Sequence, residues 1–459
     1  MVLHSTLRTG EGRGHAAIWI FVFALSGAFL ALPRTASAVP SFASQTGLPC
    51  AQCHVMAFGP QLTEYGRQFK LNGYTFKKQD GGVNIPLDAT VIAGYNNISK
   101  PAPTPSPFSD KENLALQSVS VYFAGRITDH LGAFVKGTYD NIFNTKTWDT
   151  LDVRYARTLD LGGHSTILGI DINNNPTAQD LWSSLPVFSF PYVRSELVPF
   201  PSTAPIIRGQ LGNTVLGPSV YSMIDNHVYA ELGFYKGVSN HWLGKLGDAG
   251  ASPNIVGAAP YARLSVQEQK GMHYFRIGFV GLSVKQQPFP NTTETNRSTD
   301  YGIDGSYQYN IGTPQAFDVH ASWIHEDRKL DASFATGASD STSNSLDSFE
   351  ADASYIMEQT WASSVGLFST NGSTNHVMFA PAPVFGSASG SPKTSGYIVQ
   401  VEWVPFGKVG SFARPWVNVR VGLQYLGYWH FNGGSGNYDG FGRSASDNNS
   451  LFLFTWLAF

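Results

Sequence analysis

The sequence predicts an all-β chain: a 16-stranded antiparallel outer-membrane β-barrel with a short N-terminal α-helical segment plugging it. Three observations predict this. Only 14% of the 459 residues are charged while 13% are aromatic, against roughly 25% charged in ordinary soluble domains, yet no long apolar helix follows the N-terminus, so the apolar residues are dispersed. From residue 83 onward they alternate with polar ones at period two, the rhythm of strands with one apolar face. The connections between these segments alternate between long and short, as in outer-membrane barrels.

Residues 1–38 read as a signal peptide: Arg8 and Arg13, an apolar run over 16–32, then Ala36-Ser37-Ala38 as a small-residue cleavage site. A retained membrane anchor is the alternative, and the cleavage site weighs against it. Residues 39–82 form a second unit and 83–459 a third, the barrel. A formal net charge of −3 lacks the concentrated basic surface that phosphate binding needs, so nucleic acid is not a partner.

The only two cysteines stand in Cys50-Ala51-Gln52-Cys53-His54, the pattern of a c-type haem attachment site. Two thiols on one turn can each bond a haem vinyl group, and the adjacent His54 then serves as the proximal iron ligand. A redox dithiol or half a zinc site shares the C-x-x-C spacing. Export, His54 and the lack of further cysteines weigh against both. The expected cofactor is one covalent haem c. After the motif, Leu62, Tyr65 and Phe69 recur at helical spacing with Gly73 as a stop, a short helix beside the haem. Arg67 and Lys70 on it either pair with haem propionates or are solvated helix charges. A segment this small cannot bury a core alone, so it is expected to sit inside the barrel.

Sixteen strand-like segments begin near 87, 114, 131, 149, 165, 215, 227, 260, 272, 301, 315, 346, 361, 395, 415 and 449. Val417, Val419, Val421, Leu423 and Tyr425 share one face of such a segment while Arg420 and Gln424 share the other. The charged residues Lys136, Asp152, Arg154, Glu231, Arg263, Arg276, Asp318, His320, Glu350, Asp352, Glu402 and Arg420 all phase to the inner face, since they are costly against hydrocarbon. An exported β-sandwich or propeller would also alternate, but not with charge on one phase throughout. Connections 97–113, 174–214, 288–300 and 371–394 read as extracellular loops, and 128–130, 225–226, 311–314 and 405–414 as periplasmic turns. This places Trp182 outside the cell and Val409 in the periplasm, together with the N-terminal segment.

The motif Cys50-Ala51-Gln52-Cys53-His54, the following Tyr65-Gly66-Arg67-Gln68-Phe69-Lys70-Leu71-Asn72-Gly73-Tyr74, the stretch 174–182 and Tyr229-Ala230-Glu231-Leu232-Gly233-Phe234-Tyr235 together resemble the fused outer-membrane monohaem cytochrome–porin family of iron(II)-oxidising bacteria. The resemblance implies an electron conduit from extracellular Fe(II), through the haem, to a periplasmic carrier such as a cytochrome c or cupredoxin, with membrane lipid around the barrel. One-electron chemistry of this kind assigns no catalytic acid or base. Another donor or acceptor, or a diffusion porin with a haem plug, is the alternative. The sixth iron ligand stays open. Met56 is too close to His54 to reach the opposite haem face, so Met223 and His227, beside a periplasmic turn, are the named candidates, with His320, Met272 and His273 behind them.

Overall fold

The computed structural model describes residues 41–56, 58–78, 86–201, 203–248, 252–289, 292–408, 411 and 417–459. The expected signal peptide, the end of the 39–82 segment and Val409 lie outside the described residues. Three short helices come first: α1 (Ser41–Thr46), α2 (Cys50–Cys53) and α3 (Glu64–Leu71). Sixteen strands follow: β1 (Leu87–Ile98), β2 (Glu112–Arg126), β3 (Leu131–Asp140), β4 (Thr145–Leu161), β5 (His164–Asn173), β6 (Val215–Ile224), β7 (Val228–Gly237), β8 (Ala259–Lys270), β9 (His273–Gln286), β10 (Asn296–Tyr309), β11 (Gln315–Lys329), β12 (Ser343–Met357), β13 (Trp361–Gly372), β14 (Thr394–Trp403), β15 (Asn418–His430) and β16 (Ser450–Ala458). Each pairs antiparallel with its chain neighbours, and β1 pairs with β16 from Thr90 opposite Ala458 to Ile98 opposite Ser450, which closes the barrel.

Each expected strand is present. β4 and β10 start several residues earlier than their alternation suggests because their first turns, polar over 145–147 and 296–300, carry the sheet beyond the apolar band. Connections from even to odd strands are tight, except 404–417 between β14 and β15. Asp225 and Asn226 between β6 and β7 both adopt positive φ (50° and 59°), the left-handed pair that lets a two-residue turn follow the strand twist. Connections from odd to even strands are long, except 141–144 between β3 and β4.

The wall has the polarity of a barrel in lipid. Leu232, Ile277, Phe279, Val365, Leu367 and Leu453 face outward and exposed, and ring pairs mark both rims: Trp361 with Trp403 at the tight-turn end (5.8 Å between centroids) and Tyr397 with Trp429 at the long-loop end (5.4 Å). Aromatic girdles flanking an apolar band are the outer-membrane pattern. Among the described residues no helix is long and apolar enough to cross a membrane. The strands make the crossing.

The lumen is filled from both ends. At the tight-turn mouth, the Ser41 amide and hydroxyl donate to Asp88 (2.5 Å each), Gln61 Nε2 donates to Asp318 (2.8 Å) and the Tyr74 hydroxyl donates to Asp152 (2.7 Å). From the opposite end, the 174–214 connection folds inward. Leu185, Ile206, Ile207 and Leu211 pack with Val215, Tyr235, Tyr261 and Val280 of the wall. This corrects the surface placement of Trp182. Its ring is 4% exposed, and its Nε1 donates to the Tyr274 hydroxyl (2.6 Å) and to Gln267 Oε1 (3.1 Å). The connection is an inward plug, because lumen carboxylates and guanidinium groups satisfy the polar backbone that it carries in. Asp180 accepts from Arg263 (3.3 Å), and Asp300 and Glu326 accept from the Ile207 and Ile206 amides (2.8 and 2.6 Å).

Candidate functional site

Pro49 caps α2, whose single turn puts Cys50 and Cys53 on one side, and the His54 amide closes it by donating to the Cys50 carbonyl (2.9 Å). The chain then reverses. The Val55 amide donates to Gln61 and the Thr63 amide donates to Cys53 (3.0 Å each), returning it to α3. Thr63 caps α3 by accepting from the Gly66 amide (3.2 Å), and its hydroxyl donates to the Gln52 carbonyl (2.5 Å). Gly66 is required there, because a Cβ would collide with the Cys53 carbonyl.

Cys50, Cys53 and His54 line a lumen cavity of about 1110 Å³, and the two thiols are not joined to each other. Phe42, Phe69, Tyr74 and Phe134 form one aromatic wall, Phe58 and Trp456 a second, and Phe188, Phe190 and Tyr192 of the inward plug a third. Burial pushes the Cys53 thiol up to about 12, with Cys50 beside it adding to the shift. Burial also pushes the His54 imidazole down to about 4, the Gly59 backbone opposing that shift and the Arg420 charge reinforcing it. His54 is thereby kept neutral, the form in which an imidazole ligates a metal. Its Nδ1 is buried without a hydrogen-bond partner among the described residues. Two thiols on one turn, a neutral histidine beside them and a cavity with aromatic walls, charged groups such as Lys136 and Arg194 in its lining and a volume above the roughly 300–1,000 Å³ of ordinary ligand sites fit a covalently held haem. Cys50 and Cys53 would hold it and His54 would ligate its iron.

The helix cations are placed otherwise than expected. Arg67 is buried, does not line the cavity, donates through Nη1 to the Leu62 carbonyl (2.9 Å) and Gln308 (2.8 Å), and lies 4.0 Å over the Tyr274 ring. It is therefore not a solvated charge. Lys70 borders the cavity, but its Nζ donates to the carbonyls of Ala178 (2.7 Å) and Asp180 (2.9 Å) and stands 3.7 Å from Asp152. Its charge is engaged by the second plug.

The candidate sixth ligands are also elsewhere. Met223 is packed among Leu71, Trp182, Tyr221 and Tyr229, and His227 sits on the tight-turn rim against Glu268 (3.0 Å). His320 is clamped between Asp318 (3.3 Å) and Asp352 (3.1 Å). Met272 is exposed on a turn, and His273 bonds the Tyr307 hydroxyl (2.9 Å) on the outer face. Met56 packs with Val55, Ala316, Ile356 and Val404. Among the described residues lining the cavity, His54 is the one histidine and no methionine joins it.

The site includes residues that motif reading alone does not mark. Arg420 makes a two-pronged ion pair with Glu402 (2.5 and 2.6 Å) and donates to the Phe58 carbonyl (2.8 Å). Strand phase put Arg420 on the inner face, but its target lies 362 residues away in sequence, and no spacing rule reaches that far. Among the described residues no group of three or more His, Cys, Asp or Glu is arranged to hold a metal ion.

The fold and site thus define a closed 16-strand membrane barrel with two internal plugs and a C-x-x-C-H turn in its lumen. Among solved structures, the chain is similar to in-vitro folded OmpT of Vibrio cholerae (12% identity, 82% of this chain and 97% of that one, TM-score 0.42). It is similar also to the outer membrane channel DcaP of Acinetobacter baumannii (12%, 83% and 99%, 0.45) and to Salmonella typhi OmpF in complex with daunomycin (10%, 82% and 98%, 0.47). No family model and no curated protein matches the chain.

Proposed function

We propose that this protein is an outer-membrane electron conduit in which a haem, bonded to Cys50 and Cys53 and ligated by His54, takes electrons from extracellular Fe(II) and passes them to a periplasmic cytochrome c or cupredoxin. One observation carries the reading. The cavity that holds the C-x-x-C-H turn runs along the β16–β1–β2–β3 wall from Asp88, Ala458 and Phe459 at the tight-turn end to Asp140 and Ser450 near the long-loop end, so a group anchored there stands inside the membrane-crossing wall. The haem supplies reversible one-electron exchange at iron. The chain's own residues do the rest: α2 and the Thr63 cap fix the thiols, the aromatic walls give a bound group faces to pack on, and burial keeps the His54 ring neutral. Each turnover would move one electron from Fe(II) to the carrier and leave Fe(III) outside.

The same cavity supports a second reading, a diffusion porin with a haem plug, because it extends through much of the barrel's height beside the two plugs. Proteoliposomes loaded with ferricyanide separate the two. External Fe(II) is expected to reduce the haem and then the enclosed ferricyanide while small sugars stay out. Sugar flux without electron transfer would sink the conduit and leave the porin.

A further inference from the structure

We infer that Arg420 is a positioning and potential-setting residue for the haem site: paired with Glu402, it grips the turn after His54 and sets a fixed positive charge beside the proximal histidine. The inference rests on the haem reading above and goes beyond it, because neither the C-x-x-C-H motif nor the barrel architecture requires a cation at this place.

The geometry is specific. Arg420 is 1% exposed, and three of its contacts point in separate directions. Nε and Nη2 donate to the two oxygens of Glu402 (2.5 and 2.6 Å), and Nη1 donates to the Phe58 carbonyl (2.8 Å). Its Cζ lies 5.5 Å from the centroid of the Tyr192 ring, which comes from the inward plug. One guanidinium therefore joins the barrel wall, the haem turn and the second plug. The turn is shaped to admit it. Gly59 sits at φ 114°, a conformation open to glycine, and a Cβ there would collide with the Arg420 guanidinium. Phe58 is fixed on the other side by Trp456, at 4.5 Å between ring centroids.

A buried cation needs a reason to be where it is. Removing one from water is costly unless it is paired, and Glu402 provides the pair. Yet Glu402 lies on the wall side and Nη1 donates to the Phe58 carbonyl, so the positive end of the pair faces the turn that follows His54. Oxidation of the haem adds a positive charge in this region, and a nearby fixed cation opposes it. The Arg420 end of the pair therefore favours the reduced state and raises the potential, and the Glu402 end moderates that effect. A donor such as Fe(II) needs a high-potential acceptor, so the direction of the effect suits the proposed reaction.

The test is a redox titration of purified, haem-loaded full-length protein, with resonance Raman reading the iron–histidine stretch. Arg420→Gln, which leaves Glu402 without its cation, is expected to lower the potential. Glu402→Gln, which keeps the Phe58 contact but unmasks the Arg420 charge, is expected to raise it. Each shift should reach a tenfold change in the reduction equilibrium, about 59 mV for one electron. Arg420→Lys should hold the potential near wild type while altering the iron–histidine stretch, because the charge stays and the fork is lost. Should Arg420→Gln fail to fold, the upward shift in Glu402→Gln carries the test alone. Haem-loaded variants with unmoved potentials, or with potentials moving in the same direction, overturn the role given to Arg420 and leave the haem reading intact. Wild-type protein without covalent haem overturns both.

Discussion

The Lys70 ammonium donates to the Ala178 carbonyl at 2.7 Å, a bond between two segments that enter the lumen from opposite ends. The same nitrogen reaches the Asp180 carbonyl, and Ser183 Oγ donates to the Pro60 carbonyl at 3.0 Å. The two plugs hold each other. Neither the wall alone nor the C-x-x-C-H segment alone fixes the cavity between them.

Lys70→Met keeps the apolar stem and removes the ammonium. Hydrogen bonds to a charged group contribute about 1.5–3 kcal/mol each, so loosening of the 174–214 plug by roughly 3 kcal/mol is expected. Protease added to intact cells should then cut within 174–214, whereas the wild-type protein is expected to resist. Equal resistance in the variant would show that Lys70 is not the tie.

Trp182 is held between Arg276, with Cζ 4.2 Å from the ring centroid, and Tyr229, edge-on at 5.5 Å. Trp182→Ala should cost about 3–5 kcal/mol, as for large aromatic truncations in cores, seen as a lower unfolding temperature of the purified barrel. In intact cells Trp182→Cys should resist a membrane-impermeant maleimide, whereas Phe441→Cys, at a position 62% exposed on the long-loop end, should label. Met272→Cys, on a tight turn, should label only after permeabilisation. Labelling of the last in intact cells would invert the barrel.

Asp439 supplies a pH dependence at the long-loop end. Burial raises its carboxyl, but the amides of Phe441, Arg443 and Val384 outweigh it and hold the group below its ordinary value of 3.8. The folded state therefore binds fewer protons than the unfolded one in strong acid. The stabilisation is full above the ordinary value and is lost as pH falls through it and on through the folded value. Val384 makes the site sensitive, since this β-branched residue sits at φ 68° and its amide is tied to Asp439 (3.1 Å). Hydrogen exchange over 373–393 and 431–449 should quicken below about pH 4 in wild type and lose that dependence in Asp439→Asn.

Cys50→Ala and Cys53→Ala should each lose one thioether bond, and the double variant all covalent haem on denaturing gels, while heat-modifiable migration of the barrel persists. The separation follows from the wall, which closes through β1 and β16 without either cysteine. A full complement of bound haem in the double variant would remove the site assignment.

The barrel was legible because its physics is local. Lipid outside and charge inside impose period two, so Asp152, Arg154, Arg263 and Arg276 declare the inner face residue by residue, and all four are buried there. The position of Cys50, Cys53 and His54 on one turn was legible for the same reason, since their spacing is local. The 174–214 plug was not. Ala178, Leu181, Trp182, Leu185, Ile206 and Ile207 follow no strand or helix period, and what draws them inward is a set of partners on distant strands. The burial of Arg67 and Lys70 was hidden for a related reason. On a short helix they read as propionate partners or solvated charges, and only the closed wall and the inward plug bring Gln308, Asp152 and the Ala178 carbonyl to them.

The seam between β1 and β16 also imposes an order on biogenesis. The thiols of Cys50 and Cys53 lie behind that seam, in a lumen already occupied from both ends, where a modifying enzyme of ordinary protein size has no room. A prosthetic group bonded to both sulfurs must therefore be attached while the chain is still an open periplasmic polypeptide. On the haem reading proposed above, maturation precedes insertion, and a strain lacking the attachment machinery would export barrels that no later supply of cofactor can repair.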